Sequence, residues 1–256
     1  MVRVLEVQED QTMPIIGTAQ FDSPRTARPP AWPASGASQA APPSPARVDG
    51  DLIALQNIGT KLRFHHNQTI FNEGDPAEHA YKVLSGAVRL CKHLADGRRQ
   101  IVQFLFPGDL FSFMELAGHS LTAEAVNDVI LISYLQRQII HLGAQDPSLR
   151  ERFVVLMSQR LHRMHDHLML LGRQTALERV SSFLLSLRER TCTKENAPLD
   201  VPMSRQDIAD YLGLTIETVC RVLAKLRRSR VIGIPNIHQL IIGDIDALHA
   251  LAESGA

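Results

Sequence analysis

The spacing of apolar residues changes along this chain, and each change marks a different kind of element. After Asp51 the runs YKVL, AVRLCKHL and QIVQFLF are alternating or apolar, and Gly74, Gly86, Gly97 and Gly108 recur around them every eleven or twelve residues. Short strands punctuated by glycine turns predict an antiparallel barrel or jelly roll, continued by LTAEAVNDVILISYL from Leu121. The period then lengthens. Val154, Met157, Leu161, Met164, Leu168 and Leu171 are spaced 3, 4, 3, 4, 3, with polar residues filling most positions between. So narrow and long a seam predicts a helix paired with the same helix of a second subunit. A helix laid on its own barrel is the alternative.

A third pattern occupies residues 204–228. Ser204 stands three residues before Asp207, as an N-cap does before the first turn of a helix. Ile208, Ala209 and Leu212 share one face, and Gly213 follows where a helix must stop. Thr215 caps the next helix. There Val219, Val222, Leu223 and Leu226 form a buried stripe, while Glu217, Cys220 and Arg221 lie on the opposite face near the helix start. Ala209, Gly213 and Val219 meet the steric need of two helices crossing closely. The pattern predicts a helix-turn-helix whose second helix can lie in a DNA major groove; an ordinary solvated helical hairpin with chance charges is the alternative. Residues 201–230 carry six basic and three acidic side chains, with Lys225, Arg227, Arg228 and Arg230 clustered after the helix. That local excess suits a phosphate backbone. Two apolar runs flank the segment from Gly233 to His238 and predict a hairpin, the wing of a winged helix.

Composition adds boundaries. Eight of the fourteen prolines fall in the first fifty residues, and residues 29–47 are almost entirely Pro, Ala, Ser and Gly. Such a segment buries too little apolar surface to order itself, so 1–50 is expected to be a disordered extension. The remainder divides into a β-roll at 51–144, a dimerisation helix at 145–173 and a DNA-binding domain at 174–256. The fold class is therefore α+β. Formal net charge is zero, so the basic patch is local. No run approaches the roughly eighteen apolar residues of a membrane span, and no charged start precedes an apolar stretch. Cys91, Cys192 and Cys220 are three widely spaced cysteines, which argues against a disulfide framework and fits the cytoplasm.

Barrel, long helix and winged helix in that order resemble the CRP/FNR family of bacterial transcription regulators, from about residue 55 to the end. The resemblance rests on FNEGDPAEHAYKVLSGAVRL, on PGDLF at 107–111 and on MSRQDIADYLGLTIETVCRVLAKL. The last segment looks most like the FixK branch, whose members control microaerobic and nitrogen-oxide genes. The resemblance implies a cyclic-nucleotide-binding-like roll and an activator that works with RNA polymerase. It also implies a homodimer on a palindrome like TTGAT, four free base pairs, ATCAA. The family reads bases with Glu-x-x-Ser-Arg. Here the pattern stands as Glu217, Cys220 and Arg221, with cysteine in place of serine. Ser204, Arg205, Thr215, Thr218 and Lys225 are the expected backbone contacts. Cys220, facing DNA beside Arg221, is the expected redox-sensitive position; a small contact that merely replaces serine is the alternative.

Family sensors are expected to be missing. Cyclic-nucleotide binders carry Gly-Glu-Leu and then Arg-Ser/Thr-Ala. Here Ser112, Phe113 and Met114, then Leu121, Thr122 and Ala123, stand instead. Leucine cannot pair a phosphate, and phenylalanine cannot accept a hydrogen bond. Glu115 falls on a different register. No cysteine precedes Cys91, so the four thiolates of an FNR-type iron–sulfur cluster are unavailable. The expectation is a roll without cofactor or metal. A ligand-gated regulator with an unidentified small molecule in the roll is the alternative.

Other candidates weigh less. His162, His165 and His167 lie on the long helix without a paired acid or cysteine. Cys91 and His93 share a strand face, a buried cysteine beside a histidine rather than a haem pair. His65 and His66 lack ligand spacing, and Cys192 reads as a loop thiol. A cupin-type metalloenzyme needs a His-x-His pair on barrel strands, but His165 and His167 sit on the helix. No enzyme is expected.

Overall fold

The computed structural model describes residues 59–253, except Met114, Leu116, Ala117 and 193–196. The extension expected at 1–50 lies outside them. Eight strands open the described chain: β1 (Thr60–Phe64), β2 (Thr69–Phe71), β3 (His79–Ser85), β4 (Val88–His93), β5 (Arg99–Leu105), β6 (Leu110–Phe111), β7 (Thr122–Ala125) and β8 (Val129–Leu135). They form two antiparallel four-stranded sheets, ordered β1-β8-β3-β6 and β2-β7-β4-β5. Alternation along each strand sends Phe71, Val83, Val88, Leu90, Phe111, Ala123 and Leu131 into one core between the sheets. The glycine period marks real turns. Gly86 closes the β3–β4 turn at φ +82°, where an added Cβ would meet the Asp128 carbonyl oxygen at 2.3 Å.

Helices follow: α1 (Gln136–Gln145), α2 (Pro147–Arg173) and α3 (Ala176–Thr191). Pro147 opens α2, and the Asp146 carboxylate accepts the Ser148 and Leu149 amides. At 27 residues, α2 is about 40 Å long. Its N-terminal half packs on the roll through Leu149 and Phe153, with Leu156 and Met157 partly covered against Tyr134 and Ile139. The opposite stripe is bare: Val154, Leu161 and Leu168 keep 64, 51 and 63 % of their surface exposed, and Met164 is open too. One face of this helix thus lies on its own roll, and the other leaves an apolar stripe uncovered in the single chain. No described helix is long and apolar enough to cross a membrane.

The C-terminal part comprises β9 (Leu199–Asp200), α4 (Arg205–Leu212), α5 (Ile216–Arg228), β10 (Ile232–Asn236), β11 (Gln239–Ile242) and α6 (Ile245–Glu253). The wing is three-stranded, since β9 pairs with β11 and adds to the hairpin that the sequence predicted. This part shares one apolar cluster with the outer face of the roll. Cys91, Ile101, Phe104 and Phe106 from β4, β5 and the turn after it join Phe183, Leu187, Ile208, Leu212 and Val222.

Candidate nucleic-acid interface

The α4–turn–α5 unit is built as its residues dictate. Ser204 Oγ accepts from the Asp207 amide while the Asp207 carboxylate accepts from the Ser204 amide, a complete capping box. Gly213 ends α4 at φ +62°, in the left-handed region. Thr215 caps α5 by accepting from the Thr218 amide. Val219, Val222, Leu223 and Leu226 are buried. Arg179 fixes the unit from α3, donating to the carbonyls of Leu171, Gln174 and Leu212, each at 2.9 Å. One guanidinium thus caps the ends of α2 and α4 together.

The outer face of α5 is open. Glu217, Cys220, Arg221 and Lys225 are all exposed, as are Arg227 and Arg228 beyond them. Arg221 rests one N–H on Thr218 Oγ1 at 3.2 Å. Backbone hydrogen bonding at the helix start and the Thr215 hydroxyl hold the Glu217 carboxyl below the usual carboxylate range. It therefore acts as a pure acceptor near neutrality. Arg205 opens α4 beside Cys220. Burial lowers its pKa from the ordinary arginine value, and its Nη1 has no hydrogen-bond partner. Ser204 and Thr215 spend their hydroxyls on the caps, and Thr218 holds Arg221.

Sequence reasoning did not find the joint beneath this unit. Arg89 on β4 donates to Glu124 of β7 at 2.7 Å, to Asp207 of α4 at 3.1 Å and to Asn67 at 3.0 Å. Arg99 on β5 bridges Asp207 and Asp210. Burial opposes the Arg99 charge, but Asp210 and Asp207 outweigh it and raise its pKa. Arg190 of α3 adds a contact to Asp109 and the Phe104 carbonyl, with its guanidinium over the Phe106 ring. The acid that caps the first helix of the motif is thus also its anchor to the roll. Beside it, burial pushes the Cys91 thiol up to about 12, with the Glu124 carboxylate adding and Arg99 and Arg89 opposing.

Inside the roll, polar side chains around Glu115 bond one another. Glu115 accepts from the hydroxyls of Ser112 at 3.3 Å and Ser120 at 2.9 Å, and meets His119 Nδ1 at 2.8 Å. His119 is buried and stacks on Phe71 with ring centroids 3.6 Å apart. Phe113 turns away and packs on Phe153 of α2. Leu121 is partly buried against the roll core. Met114 lies outside the described residues. Glu115, discounted on register, therefore sits at the centre of this cluster. Of the α2 histidines, His162 and His165 are exposed, while His167 stacks on Tyr211 at 4.2 Å and burial lowers its pKa.

Comparison with known proteins places this geometry. Residues 61–146 match the cyclic nucleotide-binding domain family, and residues 178–251 match the Crp-like helix-turn-helix domain. The nitrogen fixation regulation protein FixK of Azorhizobium caulinodans is 41 % identical over 197 residues, covering 76 % of this chain and 79 % of that protein. The chain belongs to the CRP/FNR family of transcription regulators. The structure of FixK2 from Bradyrhizobium japonicum superposes with a TM-score of 0.74 at 36 % identity, over 78 % of this chain and all of that one. The fumarate and nitrate reduction regulatory protein of Salmonella typhimurium is 30 % identical over 207 residues, covering 79 % and 82 % of the two chains. This CRP/FNR protein is a DNA-binding regulator of the FixK/FNR type, and the relatives it resembles are regulators rather than enzymes.

Proposed function

We propose that this protein activates transcription in the cytoplasm as a homodimer on a palindrome close to TTGAT, four base pairs, ATCAA. The observation that carries the reading is the exposed Glu217–Cys220–Arg221 face over the buried stripe of α5. Arg221 donates two hydrogen bonds to guanine O6 and N7, and Glu217 accepts from an exocyclic amino group. Ser204, Arg205, Thr215, Thr218 and Lys225 are the phosphate contacts in this reading; exposed Lys225 and the placement of Ser204 and Thr215 at the starts of α4 and α5 support it. The bare residues Val154, Leu161, Met164 and Leu168 of α2 support pairing with a second copy, whereas Met157 and Leu171 are half-buried in the single chain, Met157 against the roll, and add less to the seam than the spacing suggests. Two-fold symmetry then matches the palindrome. RNA polymerase is the partner at the promoter.

Arg221→Ala tests the base-reading assignment. It should cost about 1–3 kcal/mol of DNA binding and relax selectivity at the G·C pair. An unchanged preference for guanine, measured by competition among variant sites, removes Arg221 from that role.

Binding needs neither cyclic nucleotide nor an iron–sulfur cluster in this reading. The Glu115–Ser112–His119 cluster supports it, because these three polar side chains already bond one another. Fluorescence anisotropy with added cyclic AMP or cyclic GMP should show DNA affinity within about two-fold of the unliganded protein, since a ligand without differential affinity shifts nothing. A large rise points instead to a ligand-gated roll.

Cys220 acts as a redox-sensitive point of control. It is exposed on the base-reading face, so sulfinic or sulfonic acid there sets a fixed negative charge against phosphates. Cys220→Ser should retain DNA binding and resist peroxide, whereas Cys91→Ser and Cys192→Ser should stay sensitive. Equal inactivation of Cys220→Ser and the parent places the switch elsewhere.

A further inference from the structure

We propose that Cys91, His93 and Glu124 form a binding site for a thiophilic divalent cation, of the zinc or cobalt kind, at the joint between the roll and α4. Their donor atoms, one from each side chain, all lie within 4.8 Å of one another. Strand geometry explains the meeting. Cys91 and His93 are two apart on β4 and so share its outer face. β7 runs antiparallel alongside, with Glu124 opposite Arg89 and Thr122 opposite Cys91, which sets Glu124 diagonal to Cys91 on the same face. The sequence offers only the cysteine and the histidine as a pair; the third ligand comes from a strand 31 residues further on.

The donor set defines the ligand. Thiolate, imidazole and carboxylate together suit zinc-like ions and disfavour magnesium and calcium, which prefer oxygen alone. Three protein ligands leave a tetrahedral ion one open position. Bonds of about 2.0–2.3 Å place tetrahedral ligands about 3.5 Å apart, so the donors need close by only about an ångström. Burial is graded across the three. Cys91 is buried, Glu124 is intermediate and His93 is exposed, which gives an ion a route in along the imidazole.

Charge favours it as well. Glu124, Asp207 and Asp210 bring three negative charges to this joint, against two from Arg89 and Arg99. A divalent ion bound to a Cys91 thiolate adds one net positive charge and cancels the surplus. The Arg89 and Arg99 contacts with Glu124 fall on Oε2, so Oε1 can face the ion without breaking them. On binding, the Cys91 S–H bond breaks, its proton passes to solvent and a sulfur–metal bond forms; nothing is oxidised or reduced.

Cobalt(II) is the probe. The full-length chain, stripped with a chelator that is then removed, is titrated with cobalt and followed by absorption. One equivalent per chain should produce a thiolate-to-cobalt charge-transfer band in the near ultraviolet, with visible bands of four-coordinate intensity. Cys91→Ser should abolish the charge-transfer band, and Cys192→Ser and Cys220→Ser should keep it. His93→Ala changes an exposed side chain, so it decides the matter even if Cys91→Ser fails to fold. It should weaken cobalt binding at least about ten-fold. Absence of a thiolate band at one equivalent, its survival in Cys91→Ser, its loss in Cys220→Ser, or cobalt affinity unchanged in His93→Ala each overturns the site.

Discussion

Arg89→Met is expected to destabilise the folded protein by about 3–5 kcal/mol, the cost of breaking a buried ion pair by removing one partner. The side chains of Arg89 and Asp207 are only 7 % and 6 % exposed, so solvent screening is small. Methionine keeps much of the volume while removing donors to Glu124, Asp207 and Asn67 together. Among the described ion pairs Glu124 then keeps Arg99, 3.7 Å away, and Asp207 keeps Arg99 as its cation beside the Ser204 donors of the cap. Because Asp207 also closes the capping box of α4, the effect reaches the helix-turn-helix as well as the joint. Urea unfolding followed by circular dichroism measures the change. A loss below about 1 kcal/mol, the range of exposed pairs, means that α4 does not stay seated on the roll in solution.

The second large effect concerns α2. Leu161→Glu with Leu168→Glu should convert the dimer to monomers in sedimentation velocity and abolish palindrome binding. Both leucines are open to solvent in the single chain, so the new carboxylates cost the monomer little. In the proposed dimer they would be buried without partners and carry the full penalty of desolvated charge. That asymmetry separates assembly from folding. Circular dichroism of the double variant should match the parent while its mass halves. A double variant that remains dimeric places the subunit contact on another face.

Local rules carried much of the architecture. The glycine period located turns, because Gly74, Gly86, Gly97 and Gly108 all adopt positive φ. The i, i+3, i+4 patterns located α4 and α5, since their caps and buried stripes are set within a few residues. The Ser204, Gly213 and Thr215 positions are legible for the same reason. What the sequence hid was long-range. Asp207 reads as a capping acid, and nothing near it announces Arg89 and Arg99, more than a hundred residues earlier. Glu124 reads as the polar position of an alternating strand, yet register sets it among Arg89, Cys91 and His93. Glu115 misses the family register, yet His119 and Ser120 both bond its carboxylate. β9 is two residues long, too short to show a period, and pairing with β11 alone defines it. The α2 stripe shows the opposite limit. Its apolar pattern is plain, but one chain cannot display what covers it.

Equilibrium titration of the purified protein against two labelled duplexes tests the central assignment most directly. One carries TTGAT, four base pairs, ATCAA. The other has the same composition with both G·C pairs moved out of register. Without any cyclic nucleotide, and under reducing conditions at fixed salt, the first should bind at least about a thousand-fold more tightly, the margin of specific over non-specific DNA. Equal affinity for the two duplexes contradicts a sequence-reading role for the Glu217–Cys220–Arg221 face.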